Sequence, residues 1–277
     1  MVHSRLRWVL SRRVHLPAIM SSDLPHSALA AAIRDIALRA GEQIVAVYRT
    51  PFEVRAKEDR SPVTEADEAA ERLITEELTR LRPRLPVVAE EAVAKGVMPD
   101  VTGTPFWLVD PLDGTKEFVS RNGEFTVNIG LIENGRPTIG VVYAPAVGRM
   151  FWNSGPGEVF SETNGGAPQK ISARRAAKDG FVVVASRSHR DTDTDEYLAT
   201  LPVKSITSAG SSLKFCLVAA GEADLYPRFG NTNEWDTAAG HAVLAAAGGR
   251  VVTRDGAELG YAKPKFKNPG FIAKGRA

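Results

Sequence analysis

The feature that most constrains this chain is the run Trp107-Leu-Val-Asp110-Pro-Leu-Asp113-Gly-Thr115. An apolar β-type run delivers Asp110 at its end, Pro111 forces a turn, and Asp113 follows three residues later. Gly114 and Thr115 then open another turn or a helix. Two carboxylates and a bent backbone are thereby brought close together, with the Leu112 carbonyl left to point inward. Oxygen donors of this kind suit a hard cation such as Mg²⁺ better than zinc or copper. Backbone N–H groups at Gly114 and Thr115 could hold a phosphate oxygen beside it. Asp-Pro and Asp-Gly pairs are also ordinary turn and cap chemistry, so this segment alone leaves both readings open.

Further acids stand at comparable places. Glu90-Glu91 follows the β-type run 87–89, although adjacent glutamates are equally at home on a surface. Asp236 precedes a small-residue first turn, Thr237-Ala-Ala-Gly240, where it serves either a site or a helix cap. Asp67 is the third residue after Thr64, the spacing of a capping-box variant.

Around these acids the hydrophobic period changes along the chain. Ile33, Ile36, Ala40, Ile44 and Val47 recur at spacings of three and four and predict a helix over 27–48. A second helix is expected over 64–82, stopped by Pro83 and Pro86. Strands follow at 106–109, 125–132 and 138–143, the last two joined by a hairpin turn at Asn134-Gly135. The stretch 154–170, with Gly155, Gly157, Gly165 and Gly166, reads as a loop-rich junction. It would divide an N-terminal α+β metal-binding domain, 20–154, from a C-terminal α/β substrate-recognition domain, 155–277. In the latter, strands at 181–185, 203–207, 223–226 and 250–253 alternate with helices at 211–220 and 237–247.

The charge balance is close to neutral, 35 Lys+Arg against 33 Asp+Glu, but uneven. Residues 1–19 hold Arg5, Arg7, Arg12 and Arg13 and no acid, so the remainder carries 31 bases against 33 acids. The basic leader is read as disordered or as an over-extended start with Met20 the initiator; an Arg-rich targeting or membrane-surface arm is the other reading. A mildly acidic body argues against a DNA- or RNA-binding module. The single cysteine, Cys216, cannot form an internal disulfide or a thiolate zinc site, and its apolar helical run makes it a core residue in a protein of a reducing compartment. His241, five residues after Asp236, falls on a different side of its helix and is read as structural. There is no Cys-x5-Arg loop, no P-loop and no dinucleotide-binding glycine fingerprint. No stretch approaches the roughly 18 apolar residues of a bilayer span.

Taken in order, Ser61-Pro-Val-Thr-Glu-Ala-Asp67, Glu90-Glu91, Asp110-Pro-Leu-Asp113-Gly-Thr115 and Trp235-Asp236 resemble the inositol monophosphatase-like, lithium-sensitive, Mg²⁺-dependent phosphatases over about residues 27–275. Lys116-Glu117-Phe118 is similar to the CysQ-type 3'(2'),5'-bisphosphate nucleotidase branch, where inositol monophosphatases usually show Thr-Asn-Phe. Gly210-Ser-Ser-Leu-Lys214-Phe-Cys and Tyr226-Pro-Arg228 also look like that branch.

The resemblance implies a layered αβαβα sandwich and hydrolysis of adenosine 3',5'-bisphosphate to AMP and phosphate by two-metal activation of water. It also implies two or more Mg²⁺ per site, held by Glu90, Asp110, the Leu112 carbonyl, Asp113 and Asp236. Glu90, Asp110 and Leu112 would serve the tighter site, and Asp110, Asp113 and Asp236 the second. Asp67 and Thr115 would orient and help deprotonate the attacking water, with Glu91 standing behind the ligands. Glu90, Leu112, Asp113, Gly114, Thr115, His189, Ser211, Lys214, Arg228 and Asp236 are the implied substrate contacts, Lys214 and Arg228 reading the second phosphate. From spacing alone, Ser211 is equally an ordinary helix cap and Lys214 a solvated side chain. The resemblance further implies a role in sulfur assimilation, a cytoplasmic setting that allows contact with the inner membrane face, and allows a homodimer. An inositol monophosphatase or broad sugar-phosphate phosphatase is the alternative on the same scaffold. A non-catalytic nucleotide or metal sensor is disfavoured because every implied ligand is present.

Overall fold

A computed structural model describes residues 24–56, 62–81, 83–187 and 191–277. The leader 1–19, Met20, Ser61 and His189 lie outside the described residues, and with them the expectations placed on them.

The chain opens with α1 (His26–Tyr48), the short pair β1 (Arg55–Ala56) and β2 (Pro62–Val63), and α2 (Glu65–Arg80). Next come β3 (Val87–Ala89) and α3 (Glu90–Ala94), then β4 (Phe106–Asp113) and α4 (Thr115–Val119). A meander follows: β5 (Thr126–Glu133), β6 (Arg136–Ala144), β7 (Arg149–Gly155), β8 (Glu158–Thr163) and β9 (Gln169–Lys170). The second half comprises β10 (Phe181–Ser186), α5 (Thr192–Ala199), β11 (Val203–Ala209), α6 (Leu213–Ala219), β12 (Leu225–Arg228) and β13 (Thr232–Asn233). It ends with α7 (Ala238–Ala246), β14 (Arg250–Thr253), β15 (Lys267–Asn268) and β16 (Phe271–Lys274).

Strands β3 to β9 form one seven-stranded sheet in chain order, and β11-β10-β12-β16-β14 a five-stranded one. Along β5 the residues alternate: Val127, Ile129 and Leu131 join Ile33, Ile44 and Ile74 of α1 and α2 in one core. Asn128 and Gly130 face the other way, toward α7. Helices α6 and α7 fill the space between the sheets, with Phe151, Phe215, Val243 and Phe271 in a second core. On the outer face of the small sheet, Leu198 of α5 packs on Val183, Leu225 and Val252. The order of layers is therefore α, β, α, β, α, as the family resemblance implied.

The stretch 154–170 is not a loop. It carries the end of β7, all of β8 and β9, and a division at 154/155 cuts through β7. Gly155 ends β7, and Gly157 and Gly165 sit at turns between short strands with φ of +74° and +69°, which made successive hairpins read as one loop. The change of sheet falls between β9 and β10. Asn134-Gly135 does form the β5–β6 turn, with φ of +52° and +70° and Glu133 paired to Arg136. No helix among the described residues is long and apolar enough to cross a membrane.

One close approach sets the depth of α7. Gly130 and Gly140 are paired across β5 and β6. A Cβ on Gly140 would stand 2.4 Å from the Ala239 carbonyl oxygen and 2.9 Å from its Cα, and one on Gly130 would stand 2.9 Å from the Ala239 nitrogen. Only the two bare glycines let the alanine-rich helix lie on the sheet, and Asp236 immediately precedes that helix. Gly140→Ala is therefore expected to destabilise the fold by about 1–3 kcal/mol in urea unfolding. Gly260→Ala, which meets nothing within 4 Å, should stay within about 0.5 kcal/mol of the parent. Equal midpoints for the two variants would show that α7 is not seated by this contact.

Candidate active site

Strand β4 does not end at Val109, as its sequence suggested. Asp110 pairs with Asn128 and Asp113 with Thr126, so three steps on β4 match two on β5. The extra residue is a β-bulge at Pro111-Leu112, where a proline without an N–H is tolerated because β3 pairs no further than Val109. Residues three apart on a regular strand point to opposite faces. The bulge instead puts Asp110 and Asp113 on the face shared by Asn128 and Thr126. Two carboxylates are thus aimed at the space beside the start of α7.

Glu90 arrives from the end of β3 and Asp236 from the segment before α7. Ligand oxygens of Glu90, Asp110 and Asp236 all lie within 4.8 Å of one another. Asp236 is not the cap of α7, whose N-cap is Thr237; its Oδ2 accepts the Asn233 N–H at 2.8 Å. Burial holds Asp236 well above the ordinary carboxylate range, and the charges of Asp113 and Glu90 push it the same way. Burial likewise raises Asp113, opposed by Lys214 and by hydrogen bonds from Ser212 and Asn128.

Asp113 stands apart from that trio. Its Oδ2 accepts from the Ser212 N–H at 2.6 Å, the Ser212 hydroxyl at 2.9 Å and the Asn128 amide at 3.2 Å. The Ser212 hydroxyl also lies 2.7 Å from the Asp236 carbonyl oxygen. Asn128 is a buried residue that the sequence did not single out, whereas Ser212, read with Gly210 and Ser211 as offering its N–H and hydroxyl to an anion, gives both to Asp113. The signal for Asn128 was present only as a polar residue inside an apolar strand.

Asp67 and Thr115 meet as expected. The Thr115 hydroxyl lies 3.3 Å from Asp67 Oδ1 and 3.4 Å from the Leu112 carbonyl oxygen. Asp67 Oδ2 accepts the Thr64 N–H at 2.8 Å and the Thr64 hydroxyl at 2.7 Å, completing a capping box at the start of α2. Asp67 therefore makes its cap contacts with Oδ2 and reaches the Thr115 hydroxyl with Oδ1. One turn along α2, the buried Glu71 accepts the Glu91 N–H at 2.7 Å. Burial pushes its carboxyl up to about 7. Glu91 is buried behind Glu90; Glu71 was not anticipated.

Glu90, Asp110, Leu112, Asp113, Gly114, Thr115, Ser211, Lys214, Arg228 and Asp236 all line one cavity of about 380 Å³. Gly114 has φ +89°, and a Cβ there would stand 2.2 Å from the Ser211 hydroxyl oxygen. Helix α6 begins at Leu213, not at Ser211. The Ser211 hydroxyl lies 2.7 Å from both the Asp113 and Glu124 carbonyl oxygens, so it braces the wall of the cavity instead of capping a helix or facing an anion.

Lys214 is not solvated. It is only 4% exposed, with Nζ 2.5 Å from the Ser211 carbonyl oxygen and 5.2 Å from the centre of the Tyr226 ring. Burial lowers its pKa to about 8. Arg228 is 8% exposed and donates to the Asn231 carbonyl oxygen at 3.0 Å. Cys216 and His241 are buried away from the cavity lining, Cys216 among apolar side chains and His241 with Nδ1 3.0 Å from the Tyr261 hydroxyl.

The donor set fits a hard divalent cation. All three of its ligand atoms are carboxylate oxygens, and a cation between Glu90, Asp110 and Asp236 would offset both the repulsion and the desolvation that raise Asp236. Thiolate and imidazole, the ligands favoured by zinc, are absent from the cluster.

Comparison with known proteins agrees with this geometry. The family model described as the inositol monophosphatase family matches residues 26–275. The 3'(2'),5'-bisphosphate nucleotidase CysQ of Escherichia coli K12 is 50% identical over 239 residues, 85% of this chain and 95% of that protein. The protein of the same name from Buchnera aphidicola is 42% identical over 246 residues, 87% and 91% of the two chains. Among solved structures, CysQ from Bacteroides thetaiotaomicron superimposes with a TM-score of 0.75 at 38% identity, covering 90% of this chain and 98% of that one. An inositol monophosphatase from Anabaena gives 0.71 at 26% identity, covering 90% and 91%. With its layered fold, its bulged Asp110–Asp113 segment and a match spanning nearly all of the described residues, the chain belongs to the inositol monophosphatase family.

Proposed function

We propose that this protein is a Mg²⁺-dependent 3'(2'),5'-bisphosphate nucleotidase that converts adenosine 3',5'-bisphosphate and water to AMP and phosphate. The observation that carries this reading is the pairing of two buried cations, Lys214 and Arg228, with the carboxylate cluster in one cavity. A single phosphate is matched by the cation end of such a site; a second anionic group needs fixed positive charge elsewhere in it. The similarity to relatives that bear the bisphosphate nucleotidase name supports the same choice over inositol phosphate.

Glu90, Asp110, Asp236, the remaining oxygen of Asp113 and the Leu112 carbonyl would hold two or more Mg²⁺. Bound there, the cations supply Lewis acidity, lowering the pKa of water and neutralising charge on the phosphoryl group and the departing ester oxygen. Thr115 donates its hydroxyl hydrogen to Asp67 Oδ1, which turns a lone pair of its oxygen toward the cavity. A water bonded to that lone pair is oriented, and its proton can pass to Thr115 as the Thr115 proton passes to Asp67. Thr64 keeps the other oxygen of Asp67 occupied and so fixes the carboxylate. Attack on phosphorus breaks the bond to the 3'-oxygen, which leaves as the hydroxyl of AMP after taking up a proton. Lys214 and Arg228 bind the second phosphate and orient the ester. A cytoplasmic setting and inhibition by Li⁺ belong to this reading through the family likeness.

Mg²⁺ should raise the thermal midpoint of the EDTA-treated protein, by the equivalent of about 2.7 kcal/mol at a hundred times Kd. Asp113→Asn should stay folded while kcat for phosphate release falls by roughly 100-fold or more. A folded wild type that releases no phosphate from any monoester in Mg²⁺ would leave a binding protein as the better account.

Lys214→Met should lower kcat/KM for the bisphosphate nucleotide by about 10- to 100-fold, the value of a charge-assisted contact, with little effect on a monophosphate. Because Lys214 is charged only below about 8, kcat/KM for the bisphosphate should fall as pH rises through that value. The same limb should be missing in Lys214→Met. A tenfold preference for myo-inositol 1-phosphate over the nucleotide would reverse the assignment of substrate.

A further inference from the structure

Helix α2 stands behind the cavity lining and supports it through two side chains. Asp67, in its first turn, holds the Thr115 hydroxyl, and Glu71, four residues on, lies on the same face. Glu71 is buried and has no direct place in the cavity lining. Its Oε2 instead accepts the backbone N–H of Glu91 at 2.7 Å, at the first turn of α3, which begins with Glu90 itself. Helix α3 has only five residues, too short to hold its own position without such support. Glu71 supplies an acceptor for an N–H that has no partner within the helix.

We infer that Glu71 is a positioning residue for the divalent-cation site: it fixes Glu90 through the Glu91 amide, and α2 thereby carries both the water-orienting carboxylate and the anchor of a cation ligand on one rigid face. The inference rests on the Mg²⁺ reading of the cavity given above. It explains why a carboxylate that touches no solvent-filled part of the site is retained in the interior at the cost of desolvation. Outer contacts of this kind set the orientation of a ligand and typically change metal affinity by about 10- to 100-fold when lost.

The test compares wild type with Glu71→Gln, which keeps an acceptor oxygen, and Glu71→Met, which keeps volume and removes the acceptor. Mg²⁺ binding is read by calorimetry on EDTA-treated protein, folding by thermal melts, and the Glu91 amide by hydrogen exchange. Glu71→Gln should bind Mg²⁺ within a few-fold of wild type, whereas Glu71→Met should bind about 10- to 100-fold more weakly. The Glu91 amide should be protected in wild type and Glu71→Gln and exchange faster in Glu71→Met. In assays the Met variant should need more Mg²⁺ for half-activation, with a smaller change in kcat at saturating Mg²⁺. Equal Mg²⁺ affinity in wild type and a folded Glu71→Met would overturn the inference, as would loss in Glu71→Gln as large as in Glu71→Met. If Glu71→Met does not fold, an unprotected Glu91 amide in wild type, or weak binding by Glu71→Gln, overturns it; protection with near-native binding by Glu71→Gln upholds it. Absence of Mg²⁺ uptake by wild type would instead strike down the parent reading, and the inference with it.

Discussion

Like charges that cannot separate are the constraint around which this protein is arranged. Glu90, Asp110 and Asp236 bring oxygens within 4.8 Å of one another, and Asp113 stands beside them. Left to themselves, such groups would take up protons or move apart. Moving apart is not open without disrupting the fold, because the carboxylates are delivered by β4, by the end of β3 and by the segment before α7, all fixed by packing; proton uptake is the direction in which burial and like charge already push Asp113 and Asp236. The bulge at Pro111-Leu112 faces Asp110 and Asp113 the same way. The Gly130–Gly140 pair lets α7 approach until Asp236 is opposite them. A cation would relieve the repulsion with the carboxylates ionised, and the all-oxygen donor set limits which cations fit.

The two halves of the chain share this burden. Ser212, at the start of the segment leading into α6, donates to Asp113 with both its N–H and its hydroxyl, and its hydroxyl adjoins the Asp236 carbonyl. Glu124, from the large-sheet half, accepts the Gly210 N–H at 2.8 Å and a two-pronged contact from Arg187 at 2.9 and 3.0 Å. The wall that carries Lys214 is therefore tied to the strand that carries Asp113. Two buried cationic side chains and the carboxylate cluster are held at a fixed separation inside one cavity, which on the proposed reading is the physical basis for selecting a substrate with two phosphates.

Much of this was legible in the residues because strong local rules applied. The three-and-four spacing of isoleucines over α1, the Thr64–Asp67 spacing at the head of α2 and Asn134-Gly135 each have a single low-energy reading, and each formed as expected. The acids of the site each had a turn, surface or cap reading of their own, and it was the resemblance carried by the four segments in order that joined them into one site. What escaped notice depended on tertiary contact. Pro111 looked like a strand terminator and proved to be a bulge, a distinction set by how far β3 pairs alongside it. Strands β8 and β9 were hidden by glycines that belong to their turns. Asn128 and Glu71 carry no motif; their importance lies in what the fold puts against them.

The central claim is that the carboxylates are gathered to hold divalent cations, and locating such an ion tests it most directly. In crystals soaked with Mn²⁺, a substitute for Mg²⁺ with usable anomalous scattering, the account predicts difference peaks among Glu90, Asp110 and Asp236, with Asp113 and the Leu112 carbonyl adjoining. Anomalous maps with no peak in that cluster at millimolar Mn²⁺, or peaks only at other surface carboxylates, would contradict it.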